Sequence, residues 1–402
     1  MGRNAIFGAL LGATLLCAAA HGADHPGVKH LILPAEMPKP YLTPAVANSS
    51  IMIARPANAV PEAPKGFSVT PFATGLANAR FMALAPNGDV FLSEPNLNQV
   101  AIIHDGVAHP FATGFNKPHG LAFHNGALYV GDLVAVWRLA YRDGAIEAGA
   151  RARVTHDDFG GTGGHSTRDI TFGPDGKLYL AIGSAENVGE EAAPRATVQK
   201  VTADGHMQTF ASGLRNAVGL AVYPGTDDLY VTVNERDGLG DGLVPDYFTR
   251  IQKGEFFGWP YAYIGAHPDP NFGAKRPDLV AKAKVPDLLF QSHSAPLGLV
   301  FYKGDQFPKD YKGDAFVALH GSWNSANPTG YKVVRIKFAN GRPASGYEDF
   351  LTGFWDGSSS PAQVWGRPAG LLVAKDGSLL VADDSGKTIW RVRYVGNGTP
   401  AH

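Results

Sequence analysis

The chain has 402 residues, 45% hydrophobic and 18% charged, with a formal net charge of −1. So balanced a charge provides no field to gather nucleic acid or an anionic membrane surface, which argues against functions built on a basic face. With 49 glycines and 29 prolines, the composition favours many turns joining short strands, in one large β domain or two ordinary ones.

At the start, Arg3 supplies a positive charge, Ala5 to Ala20 is an apolar and small-residue run, and Ala20-His21-Gly22 has the form of a small-x-small cleavage site. Residues 1–23 therefore read as a secretory signal peptide, cleaved after Gly22 or Ala23. The run is too short for a stable membrane span, so the mature protein is expected to be periplasmic or secreted. The only cysteine, Cys17, falls inside that signal, behind Leu16 rather than the small residue a lipoprotein signal wants. The mature chain would then have no disulfide, thiolate metal site or cysteine nucleophile. Residues 24–65 are rich in Pro and Ala and lack a clean period, so they read as an extended lead-in. One strand, over Ile51 to Ala54, is expected to join the main body.

From Gly66 onward a pattern recurs over 66–396. A glycine-containing loop leads into an apolar run, an Asn-Gly or Asp-Gly turn often follows, and a second apolar run comes after it. The second runs begin at Asp89, Ala127, Lys177, Asp228, Asp314 and Ser378. The first runs carry similar text, as in Gly120 to Phe123, Gly219 to Val222, Gly298 to Phe301 and Gly370 to Val373. Turns such as Asp175-Gly176 and Asp376-Gly377 supply the positive φ that tight hairpins need. A third run often follows, as in Gln99 to Ile103 and Thr388 to Val392. Three runs and an edge strand make one four-stranded blade, and six copies predict an all-β, six-bladed β-propeller. Blade sheets packed face to face bury both faces of their inner strands, which explains the near-continuous apolar text. The repeat spacing is uneven, with the surplus in 234–293 and 341–365, and long loops on a rigid scaffold commonly carry a site.

Four constellations could carry chemistry. Gly160 to Gly164 delivers His165 ahead of a first run, where an imidazole can take a hydroxyl proton near neutral pH. Arg215 and Asn216 stand at the same point of the next blade, offering a planar cationic fork and an amide. Equivalent positions hold Arg80, Asn116 to His119, and Arg367, a set that would suit a ligand bearing several carboxylates. The segment from Val233 through Glu235, Asp237 and Asp241 to Asp246 is dense in oxygen donors and glycines, which suits a hard cation, though not in the twelve-residue helix–loop–helix spacing. Finally, Leu319 to Asn324 contains His320 and Trp323; Trp323 could stack on a planar ring and the nearby Lys332 could pair with an anion. A bland reading accompanies each: a loop-capping histidine, a solvated turn, an acidic surface loop, blade packing. There is no phosphate-binding glycine loop, no Rossmann fingerprint and no G-x-S-x-G elbow, which disfavours nicotinamide and serine-hydrolase chemistry.

Together these motifs resemble the pyrroloquinoline quinone (PQQ)-dependent soluble glucose, aldose and sorbosone dehydrogenases, most closely the sorbosone branch, from about Gly66 to Tyr394. The carriers are Gly164-His165-x-Thr-Arg168 followed by a Gly-Pro-Asp-Gly turn, Gly213-Leu-Arg-Asn216, Asn234 to Gly238 with Val244 to Asp246, Phe257 to Pro260, and Leu319 to Asn324. The resemblance implies that His165 is the catalytic base, that Arg215 and Asn216 contact the quinone, and that Arg367 contacts one of its carboxylates. Lys332 and His119 are looser matches. It implies a calcium ion on the quinone held by carbonyls around Glu235 and Arg236, and a carboxylate of a nearby calcium site at Asp246. The expected activity is oxidation of a sugar or sugar aldehyde by hydride transfer to PQQ, with His165 as general base. No haem-attachment Cys-x-x-Cys-His is present, so the quinone would pass electrons to a separate acceptor, a cytochrome or another quinone. The alternatives are a metal-dependent lactonase-like hydrolase, with an ion held by residues such as Asn234 and Glu235, and a non-catalytic binding propeller.

Overall fold

In the computed structural model, which describes residues 24–396, the repeating text becomes six β-sheets of four or five strands, with three further two-stranded ribbons. The sheets are the blades of a propeller. Their innermost strands are Met82–Leu84, Leu121–His124, Ile170–Phe172, Asn216–Val222, Pro296–Phe301 and Pro368–Val373. Each packs against the next, and the sixth closes on the first. The ring is locked within blade 6, whose outermost strand Phe67–Thr74 comes from the start of the propeller and pairs antiparallel with Thr388–Tyr394 from its end.

The second strands Val90–Glu94, Ala315–Leu319 and Leu379–Asp383 are buried along their whole length. Neighbouring blades cover both of their faces, which accounts for apolar text without alternation. The outermost strands differ: Arg151–Arg153 is exposed throughout, and Val107–Thr113 is buried at one position only.

The glycines that open the first runs have a structural reason. A Cβ placed on Gly120, Gly219, Gly298 or Gly370 would come within 2.5 Å of a backbone carbonyl oxygen in the adjoining blade: Arg168, Leu297, Ala369 and Arg80 respectively. The inner strands thus approach backbone to backbone, and only glycine permits it. Inside the ring, Phe81, Val218, Leu297 and Ala369 from four blades form one apolar cluster that plugs the axis.

The lead-in lies along the propeller. Lys29–His30 extends blade 5 by pairing with the strand Tyr347–Leu351, and Ile51–Met52 pairs in parallel with Gln363–Val364. The strand expected over Ile51 to Ala54 is therefore present, over two residues. The signal peptide assigned to 1–23 lies outside the described residues. Lys332, expected to face an anionic ligand, instead sits on the third strand of blade 5, away from the axis. Its buried ammonium pairs with Asp349 and Asp24, each at 2.9 Å, and so anchors the start of the lead-in. Among the described residues no helix is long and apolar enough to cross a membrane.

Close approach at the axis makes a specific demand. Gly298→Ala is expected to lower the free energy of unfolding by about 1–3 kcal/mol, the usual range for overpacking. Gly163→Ala, at a position open to solvent with no atom within 4 Å of the added Cβ, is expected to stay within about 0.5 kcal/mol of the parent. Urea denaturation of the two variants checks the contrast.

Candidate active site

Loops leading into the inner strands and loops leaving the second strands meet at one end of the axis. There they line a cavity of about 490 Å³. His165 comes from blade 3, Arg215 and Asn216 from blade 4, Arg367 from blade 6 and Arg80 from blade 1. The long loop of blade 4 adds Asn234, Glu235, Asp237 and Asp246, and blade 5 adds His320, Trp323 and Asn324. Leu297 belongs both to this lining and to the axial plug, so the basin has an apolar floor.

A recurring device fixes these loops. A carboxylate at the end of a second strand accepts the amide of the loop ahead of the inner strand. Glu94 accepts from Ala77 N at 2.9 Å, Asp132 from Asn116 N at 3.0 Å and Asp383 from Arg367 N at 2.7 Å. The cation of Arg367 is therefore delivered from a tethered backbone. Its guanidinium is steadied further, donating to the carbonyls of His320 and Gly321 at 2.9 and 2.8 Å.

His165 is held against the strand-end loop at Ser184. Its backbone amide donates to Ser184 O at 3.1 Å, and its Nδ1 lies 2.8 Å from the same oxygen. A carbonyl can only accept, so Nδ1 carries the proton and Nε2 presents a lone pair. Burial, assisted by the Arg215 charge, lowers its pKa to about 4. The ring is thus neutral at neutral pH and able to take a proton.

Arg215 is a clamp as well as a charge. Nε donates to Asn187 O at 2.9 Å, and Nη1 donates to Asn234 O at 3.2 Å and Glu235 O at 2.7 Å. The neighbouring Asn216 has a buried Oδ1 with no partner, and a Cβ at Gly183 would strike that oxygen. Across the basin, His320 Nε2 donates to both oxygens of Asp384 at 3.0 Å, and Asp384 also pairs with Arg80. Burial and the Arg367 charge push His320 down to about 4. Burial alone would raise the Asp384 carboxyl, but His320 and Arg80 outweigh it and hold the group well below the usual carboxylate range.

The acids of the blade 4 loop are mostly engaged. Asp246 accepts from Glu235 N and Ala295 N, each at 2.8 Å, and burial raises its pKa to about 6. Glu235 is raised by burial to about 7, and its Oε1 is buried without a partner. Asp237 accepts from Asn324 Nδ2 at 2.6 Å. Arg236 turns away from the cavity and pairs with the buried Asp269.

The structure therefore gathers His165, Arg215, Asn216, Arg367, Glu235, Asp246 and Trp323 around one basin, with Trp323 half-exposed on its rim. It does not bring Lys332, Arg236 or His119 to the lining. His119 is buried behind the floor with its ring against Phe81, centroids 4.7 Å apart. Burial, with Arg80 and Arg168 nearby, holds His119 well below the usual imidazole pKa. Sequence reasoning missed His293 and Asp384 and gave Arg80 little weight. His293 lines the basin just ahead of the inner strand of blade 5, the position His165 holds in blade 3. Applying that positional rule to every blade would have found it.

The basin suits a flat polyanion. Three guanidinium groups, a neutral imidazole and an orphaned amide oxygen surround an apolar floor, with Asp237 and Asp384 each pairing with one of the arginines. A calcium ion fits the residues less well as they stand. The Asn234 and Glu235 carbonyls accept from Arg215, and both oxygens of Asp246 accept from backbone amides. No cluster of three or more metal-binding His, Cys, Asp or Glu side chains occurs among the described residues. This also weighs against the lactonase-like alternative.

Known proteins share stretches of this sequence and its fold. Residues 125–322 match the Glucose / Sorbosone dehydrogenase family model, and residues 271–395 match a TrAA12-like model. An uncharacterized protein of Borreliella burgdorferi is 29% identical over 350 residues, covering 82% of this chain and 90% of its own. A pyrroloquinoline quinone-dependent pyranose dehydrogenase of Coprinopsis cinerea is 32% identical over 192 residues, 43% of this chain but 23% of that enzyme. The holo form of the pyranose dehydrogenase PQQ domain from Coprinopsis cinerea superposes with a TM-score of 0.70 at 19% identity, covering 86% of this chain and 100% of the domain. At that identity the superposition speaks for the propeller fold. The sequence likeness to the glucose/sorbosone dehydrogenases is carried by residues 125–322.

The depressed His165 pKa has a thermodynamic consequence. Its folded value of about 4 lies below the ordinary imidazole value of about 6.5. Between these two pH values the unfolded chain binds the extra proton, so His165 contributes a loss of stability as pH falls from 6.5 towards 4. His165→Gln is expected to show a shallower decline over that window, with the parts due to His320 and His119 remaining. Urea unfolding at stepped pH checks it; identical slopes in parent and variant would contradict it.

Proposed function

We propose that this chain oxidises a sugar or a sugar-derived aldehyde, of the aldose or sorbosone type, with PQQ as the bound electron acceptor. One observation carries the reading: the unprotonated Nε2 of a partly buried histidine shares a single basin with Asn216 Oδ1 and the guanidinium groups of Arg80, Arg215 and Arg367. Arg367, Arg215 and Arg80 would hold the carboxylates of the quinone, and Asn216 would meet its ring. PQQ, when bound, supplies a two-electron acceptor for a hydride.

His165 Nε2 then takes the proton of the substrate hydroxyl, or of a hydrated aldehyde. The Ser184 carbonyl fixes the ring in the tautomer this needs and favours the imidazolium as it forms. Trp323 gives the sugar an apolar face, while the Leu297 side of the floor limits water. Electrons leave to a separate acceptor, a cytochrome or a quinone, since the chain has no haem-attachment motif. Periplasmic or extracellular work is consistent with the signal-like start. Calcium has no assigned step here.

Loading the full chain with PQQ, with and without calcium, is expected to give aldose-dependent dye reduction. His165→Gln is expected to cut turnover by about 10²–10⁴-fold, the usual contribution of a positioned base, while still binding PQQ by absorbance titration. Undiminished turnover in that variant would remove His165 from its role. Lactone hydrolysis without any sugar oxidation would replace the reading.

A further inference from the structure

Residues 44–47 of the lead-in run over the propeller surface beside the basin, and they are tied down at both ends. On one side, Tyr41 N donates to Leu239 O at 2.7 Å, and Asp241 N donates to Thr43 Oγ1 at 2.9 Å. On the other, Asn48 N donates to Trp323 O at 2.7 Å, and the Asn48 amide donates to Ser325 O at 2.8 Å. The chain therefore bridges the long loop of blade 4 and the tryptophan loop of blade 5.

The loop beneath is shaped for this strap. A Cβ at Gly240 would lie 2.8 Å from Thr43 O, and one at Gly242 would lie 2.9 Å from Pro38 Cγ. Glycine at both positions lets the lead-in sit directly on the backbone of blade 4. Under the strap is a second cavity of about 290 Å³, walled by Ala45, Val46 and Ala47 on one side and by Trp323, Asn324 and Asp237 on the other. The last three also line the main basin. The two cavities thus adjoin at Trp323, which is 49% exposed. An indole face, small aliphatic side chains and a carboxylate–amide pair are the chemistry that recognises a hydroxylated ring.

Taking the proposed sugar oxidation as its premise, we propose that the strap is part of the substrate site: it walls a subsite beyond Trp323 that receives the sugar ring remote from the carbon being oxidised. A two-ring sugar would then gain contacts that a single ring lacks. The specificity would be set partly by the lead-in, outside the propeller repeat.

Binding tests this separately from catalysis. Tryptophan fluorescence of the full chain is titrated with glucose, cellobiose and maltose, for the parent, Val46→Phe and Asn48→Ala. At least one disaccharide is expected to bind the parent about tenfold more tightly than glucose, the scale of a modest pocket contact. Val46→Phe, which fills the cavity, and Asn48→Ala, which frees the strap, are each expected to erase most of that preference. An equal response of the parent to one-ring and two-ring sugars would overturn the subsite, as would a preference unchanged in both variants. Preferential disaccharide binding by PQQ-loaded protein that oxidises no sugar would keep the subsite and overturn the dehydrogenase reading instead.

Discussion

The backbone-to-backbone contact of the inner strands is the constraint on which the rest of the molecule depends. Gly120, Gly219, Gly298 and Gly370 let adjoining blades close to a distance that no side chain would allow. That spacing draws the loops ahead of the inner strands towards one mouth. Residues far apart in sequence, from Arg80 to Arg367, become neighbours because their blades cannot separate. Carboxylates at the strand ends then tether those loops, so charged side chains reach the basin from fixed backbone rather than from mobile segments.

The electrostatics of the basin follow from the same closure. Removing water pushes imidazoles and carboxylates alike towards their neutral forms. His165 and His320 respond by staying unprotonated, and Glu235 and Asp246 by holding protons more tightly. The guanidinium groups keep their charge, offset in part by Asp384 beside Arg80 and Asp237 beside Arg215. Two acids depart from this: Arg80 and His320 surround Asp384 with donors, and His293 and Arg215 outweigh burial to hold Asp237 down. The result is a basin in which arginines stand beside a neutral base, a pairing that proton abstraction next to a bound polyanion can use.

Much of this was legible in the sequence. The six buried second strands announced the blades, and the glycine-led first runs marked the axis. His165, Arg215, Asn216 and Arg367 were visible because each sits at the same point of its repeat. The outermost strands were harder: Arg151–Arg153 and Val107–Thr113 face solvent and carry no apolar signature. The closing strand Phe67–Thr74 pairs across the whole length of the propeller, which no local pattern reveals. Lys332 misled because a lysine near a ligand motif and a lysine in a buried ion pair look alike in one dimension. Asp384 was missed for the opposite reason, since its partners His320 and Arg80 lie in other blades, and His293 because the rule that found His165 was not carried to blade 5. The lead-in read as featureless, and its role as a strap depends on hydrogen bonds to loops roughly two to three hundred residues away in sequence.

A crystal structure of the full chain grown with saturating PQQ examines the central claim most directly. Density for the quinone is expected inside the basin bounded by His165, Arg215, Asn216 and Arg367, with its carboxylates towards the arginines. Quinone density at any other place on the propeller, or a basin filled only by water at that concentration, would contradict it.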